Sequence, residues 1–269
     1  MSTSPTPERK LGRSLNLLTL RFTRNWLKVA LVVVGLYSTL PIVTPVLMQI
    51  GLQAPARLLY SLYSPFCHQF AFRSLFLFGE QAAYPRTGVN APITPIEGYI
   101  VNDPVFLERY AYWYEYYNRV PLPAPPTVEE LSVFTPWLQF AARDFIGNEQ
   151  MGYKTALCAR DVSIYLALFL GGLIYSIPAV RRRIRPIPIW LYVFLGLAPI
   201  GIDGLSQLVS LLPNFTLWAP RETTPAFRVL TGFYFGLMTA WLAFPQFELA
   251  MRETRQQIEA KFARAGIRL

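Results

Sequence analysis

The chain has 269 residues, of which 53% are hydrophobic and 15% charged, against about 25% charged in an ordinary soluble domain. Its 25 Lys and Arg outnumber 16 Asp and Glu, yet fifteen of those bases sit in three short tracts beside long apolar runs, the signature of a membrane protein and not of a nucleic-acid-binding face. Two cysteines and one histidine exclude zinc modules built from four Cys and His, bis-histidine haem and multi-bridge disulfide frameworks.

In chain order, residues 1–25 form a basic segment. Leu11, Leu15, Leu18 and Phe22 recur at helical spacing with Arg13, Arg21 and Arg24 between them, which predicts an amphipathic helix on the inner leaflet. Residues 26–50 are the first of four runs that match the roughly 20 residues needed to cross about 30 Å of hydrocarbon. The others are 157–180, 187–212 and 226–249. Pro41 and Pro45 predict a kink or frayed end in the first, and Pro199 a kink in the third. Gly232 and Gly236 on the fourth are spaced for a close helix crossing.

Residues 51–156 form a long loop. Asn102-Asp103-Pro104 reads as a capped helix start, and the helix that follows, about 103–118, carries Tyr110, Tyr112, Trp113, Tyr114, Tyr116 and Tyr117. Thr127-Val128-Glu129-Glu130 is a capping box opening a second helix towards Ile146, with a bend at Pro136. The aromatic helix suits a membrane-interface belt or a surface for other membrane subunits. Basic residues concentrate in 1–28, 181–185 and the tail 250–269, whereas the loop carries seven bases and nine acids. The positive-inside rule then places both termini in the cytoplasm of a bacterial plasma membrane and the loop outside. The fold expected is an all-α integral membrane protein: four transmembrane helices, an N-terminal interfacial helix and a mostly helical extracytoplasmic insertion.

Ionisable groups inside spans cost about 2.5–3.5 kcal/mol each at mid-bilayer and mark the chemistry. Arg160 and Asp161 open the second span, Asp203 lies in the third with Gln207 one turn on, and Arg228 opens the fourth. Two acids and two bases balance, and all fall in the outer half of the membrane. Cys67, His68 and Cys158 fall at the same surface. Three readings of them stay open: a Cys67–Cys158 disulfide, a metal site for zinc or a softer ion from Cys67, His68, Cys158 and Asp161, or a thiolate activated by Arg73 or Arg160.

Cys67-His68-Gln69 with Arg73-Ser74, Cys158-Ala159-Arg160-Asp161 running into Ile164-Tyr165, Asp203-Gly204 with Gln207, and Arg228 before Thr231-Gly232 occur in one order. That order resembles an uncharacterised family of prokaryotic membrane proteins, domain of unknown function 2085 (DUF2085). The resemblance implies a four-helix membrane fold with a shared outer site and supplies no reaction. Members have a shorter link between the two cysteine motifs, so the aromatic insertion lies outside the resemblance, and Asp161 stands where a cysteine or small residue is expected. Two functions from different classes follow. One is a site of Arg73, Arg160, Asp161, Asp203, Gln207 and Arg228 for a small anionic or lipid-like ligand, or a metal beside it; whether it is an enzyme stays open. The other is an accessory subunit of a larger complex, with the polar cluster and a disulfide purely structural. A thiol oxidoreductase lacks a Cys-x-x-Cys pair, and a transporter lacks repeats.

Overall fold

A computed structural model describes residues 7–89, 92–210, 212, 216–218 and 221–265, with side chains from Gly12 onward. The side chain of Leu11, residue 211 of the expected third span, and the extremes of the two terminal segments fall outside these residues. Four helices are long and apolar enough to cross a membrane: α1 (Pro7–Gln49), α7 (Ala159–Ser176), the broken helix Ile189–Val209, and α11 (Pro225–Arg264).

α7 is the hub and packs against both α1 and α11. Its seam with α11 is built from small residues: a Cβ on Gly232 would meet Ser163 and the Arg160 carbonyl, and one on Gly236 would fall on the Ile164 carbonyl oxygen. In lipid, where no hydrophobic force pulls helices together, such close backbone approach supplies the packing energy. The third span sits at the side, with Phe194, Ile202, Leu205 and Leu208 exposed to what would be acyl chains. It is built from α9 (Ile189–Leu191), a π turn (Tyr192–Leu197) and α10 (Ala198–Val209). The π turn lies just ahead of Pro199 and widens the helix where that ring would clash. A short α8 (Pro178–Arg183) joins α7 to it.

α1 is unbroken through Pro41 and Pro45, where a kink or fraying is expected. Pro41 has no N–H to give the carbonyl of Tyr37 four residues back; the Tyr63 hydroxyl, on α2 (Gln53–Tyr63), donates to that oxygen at 2.9 Å. The orphaned acceptor is thus satisfied from outside, and the same bond docks α2. The amphipathic segment expected on the leaflet is the start of α1, continuous with the span. Leu15, Leu18 and Phe22 are exposed, while Leu20 packs on Ile258 and Phe262 of α11.

The insertion carries helices α3 (Glu97–Ile100), α4 (Pro104–Asn118), α5 (Val128–Leu131) and α6 (Pro136–Asp144). Asp103 caps α4 and accepts from Phe106 N, as its motif predicts. The expected second helix is two: Thr127 and Glu130 form the capping box of α5, which ends at Leu131, and Thr135 with Pro136 starts α6 afresh. Where a mostly helical insertion is expected, an antiparallel sheet also forms from β1 (Ser74–Leu77), β3 (Gly152–Cys158) and β2 (Gly147–Asn148), with β3 central. Ser74 pairs with Cys158 and Phe76 with Lys154. β3 is nearly all buried, so it lacks the alternation that announces a strand.

Lys154 in β3 is fully buried, its ammonium donating to the carbonyls of Gln69 (2.7 Å), Ala142 (3.3 Å) and Arg143 (2.6 Å). Burial pushes its pKa from 10.5 down to about 7, because desolvation penalises the charged form.

Two outcomes follow from these contacts. Tyr63→Phe leaves the Tyr37 carbonyl unpaired and costs about 1–3 kcal/mol, read as a lower unfolding midpoint in mild detergent. For Lys154, the ammonium is charged in folded and unfolded chains below pH 7, and its burial cost is felt in full. Above pH 7 the folded chain releases the proton first, so stability rises with pH towards 10.5. The unfolding midpoint of the wild type should therefore climb relative to Lys154→Met between pH 7 and 10; parallel curves would contradict this.

Candidate functional site

The polar site lies where the insertion meets the bundle. The first turn of α7 presents Arg160, α10 presents Asp203 and Gln207 one turn apart, and the first turn of α11 presents Arg228. The connection before α11 adds Arg221, Glu222 and Thr223, and the turn before β1 adds Arg73.

Asp203 and Arg228 are both buried, 3% and 5% exposed, and face the same interior. They are joined through intermediaries. Asp203 accepts from Arg160 Nη2, from Arg221 Nη2 at 2.9 Å and from Thr223 Oγ1 at 2.8 Å. Gln207 Oε1 accepts from Thr223 Oγ1 at 3.3 Å and Arg228 Nη2 at 3.1 Å. Glu222 then receives Arg228 Nη2 at 2.7 Å and both Arg73 Nε and Nη2, at 2.5 and 3.1 Å. The Arg73 guanidinium lies over the rings of Phe70, Phe72 and Phe134, 5.5, 5.7 and 5.8 Å from their centroids. It thereby ties the insertion's aromatic core to the bundle.

The expected balance of two acids and two bases does not describe this cluster. Arg73, Arg160, Arg221 and Arg228 form ion pairs with two carboxylates, Asp203 and Glu222. Asp161 turns instead to the thiols, its carboxylate, Cys67 Sγ and Cys158 Sγ lying within 4.8 Å of one another. Arg160 Nε and Gln207 Nε2 are buried and have no hydrogen-bond partner among the described residues. Arg221, Glu222 and Thr223 escaped the sequence reading because they lie in a connection with no periodicity; an Arg-Glu pair between two spans was the available signal. Glu248, a little past the middle of α11 and 6% exposed, is a further ionisable group within the expected fourth span.

Cys67 and Cys158 face each other without a disulfide bond, their sulfurs 2.7 Å apart. The backbone N–H groups of Gln69 and Cys158 point at Cys67 Sγ, at 3.4 and 3.2 Å. The Cys67 thiol is pushed up from its ordinary pKa, first by the hydrogen bond it donates to Cys158 and then by burial. His68 does not join them: it is exposed and packs on Phe70, with 5.3 Å between ring centroids. Two thiolates on one tetrahedral zinc at 2.3 Å stand about 3.8 Å apart. Cys67, Cys158 and Asp161 therefore fit zinc only after the sulfurs part by about 1 Å, with a fourth ligand still to come from elsewhere.

Residues 143–242 match the model of the family described as predicted membrane protein (DUF2085), which bears out the resemblance over rather more than a third of the chain. The matched segment holds Cys158, Arg160, Asp161, Asp203, Gln207 and Arg228 but not Cys67, His68 or Arg73. An uncharacterized protein of Methanocaldococcus jannaschii is 32% identical over 97 residues, 36% of this chain and 55% of that relative; the chain thus spans about half the length of the curated relative it matches. No solved structure matches.

Asp203→Asn removes the carboxylate that answers Arg160 and Arg221. With one partner gone from a buried pair, the expected cost is about 3 kcal/mol, read as a lowered unfolding midpoint. A midpoint equal to wild type would mean that the two guanidiniums do not depend on Asp203.

Proposed function

We propose that this multi-pass membrane protein binds a small anionic ligand, an oxyanion or a phosphate-bearing headgroup, at the Arg73–Arg160–Arg221–Arg228 cluster. The observation that carries this reading is the unequal charge: four guanidiniums converge on two carboxylates, and two buried N–H donors, on Arg160 and Gln207, remain unpartnered among the described residues. A guanidinium fork offers paired N–H groups in the plane that a phosphate or carboxylate fills. Arg228 is buried, where little water competes, so its bonds are strong. Asp203 and Glu222 hold the four cations apart and aimed in the absence of an anion. In this reading the site opens to the outside of a bacterial plasma membrane, with both termini in the cytoplasm, since bases crowd the termini and the 181–185 turn. The thiol pair with Asp161 flanks the site as a separate centre for a metal or a disulfide.

A second reading, an accessory subunit of a larger membrane complex, is favoured by one observation. Tyr112, Tyr116 and Tyr117 lie exposed along α4, and aromatics of this kind are enriched at protein interfaces. Stable companions in mild detergent, lost when these tyrosines are changed to serine, would favour it.

Binding to the folded state alone raises stability, by about 1.4 kcal/mol when the ligand is at ten times its Kd. Inorganic phosphate, added at constant ionic strength, should raise the unfolding midpoint of the full chain in detergent more than chloride does. Arg160→Gln and Arg228→Gln should each abolish the difference. Equal effects of phosphate and chloride on wild type would sink the reading.

A further inference from the structure

At the other end of the bundle a second basic recess has the build of a headgroup site. Glu248 on α11 is buried and accepts from Trp26 Nε1 at 2.9 Å, from Arg252 Nε at 2.7 Å and from Arg181 Nε at 3.2 Å and its Nη2. This carboxylate is consumed: it fixes the end of α8 and a tryptophan of α1 to α11. Around it opens a recess of about 490 Å³ between α8 and α11, also lined by Arg182 and Arg255. Four guanidiniums therefore face one carboxylate, which is already saturated; among the described residues no second carboxylate lines the recess.

Its depth says what would fill it. Glu248 lies 23 residues along α11 from Pro225, about 35 Å at 1.5 Å per residue, so it stands just beyond a hydrocarbon core of about 30 Å. The recess is also bounded by Ser176, the last residue of α7. This is the level of lipid phosphates. Ile177 and Ile184 flank the two ends of α8 with their side chains exposed, apolar surface beside the cationic recess.

We propose that this recess holds the phosphate of an anionic phospholipid, gripped by Arg182 and Arg255 and by the outward N–H groups of Arg181 and Arg252. The chemistry is phosphate recognition by guanidinium forks between helices at a membrane surface. It is independent of the site at the insertion end, with which it shares no residue. The lipid phosphate would offset one of the three positive charges that Glu248 leaves unbalanced in the recess, and would clamp α8 to α11.

The test is native mass spectrometry of the full chain released from nanodiscs of phosphatidylcholine and phosphatidylglycerol. Wild type should retain one phosphatidylglycerol more than the Arg182→Gln/Arg255→Gln variant. The Arg183→Gln/Arg185→Gln variant removes the same amount of charge outside the recess, and should retain as many as wild type. Soluble glycerol phosphate should displace the retained lipid. Equal loss from both double variants would reduce the effect to diffuse surface charge, and no loss from either would overturn the proposal. Retention of inorganic phosphate without any phosphatidylglycerol preference would assign the recess to a free anion and overturn the lipid assignment.

Discussion

A carboxylate taken out of water must be answered by a cation, and in this protein that requirement falls on Asp203. Its side chain is 1% exposed, and unpaired ionisation there would cost several kcal/mol. Answering it draws Arg160 from α7 and Arg221 and Thr223 from the connection ahead of α11. The third span has few apolar contacts of its own with the bundle, so this electrostatic anchor fixes which of its faces turns inward. Gln207, one turn on, follows Asp203 inside. Glu222 repeats the arrangement one step further out, between Arg228 and Arg73, and carries the connectivity into the insertion.

The same logic governs the opposite end. Glu248 gathers Arg181, Arg252 and Trp26 as Asp203 gathers its partners. The protein thus has two polar clasps about one membrane thickness apart, with small-residue packing between α7 and α11 filling the interval. Each clasp carries more cation than its own acids neutralise, and both functional proposals rest on that surplus.

Much of this was legible in the sequence. The spans follow from runs of apolar residues, the close crossing at Gly232 and Gly236 from their spacing, and the joint burial of Asp203 and Arg228 from the cost of ions in hydrocarbon. Three things were not legible, each for a physical reason. Arg221 and Glu222 sit in a connection, where neither helical nor strand period marks an inward face. Strands of four, two and seven residues are too short, and β3 too uniformly buried, to be told from loop or helix. The carbonyl that Pro41 orphans in α1 is satisfied by a hydroxyl 26 residues away from it in sequence, a long-range fact that local propensity does not contain. His68 shows the converse: adjacency to Cys67 suggested a shared site, yet neighbouring residues in an extended turn point to different sides.

The direct passage of β3 into α7 has a geometric consequence. Cys158 is at once the last residue of the strand and the cap of the helix, so no linker separates them. Cys158 thus fixes, at a single backbone joint, both the register of the sheet against Ser74 and the start of the helical turn that bears Arg160.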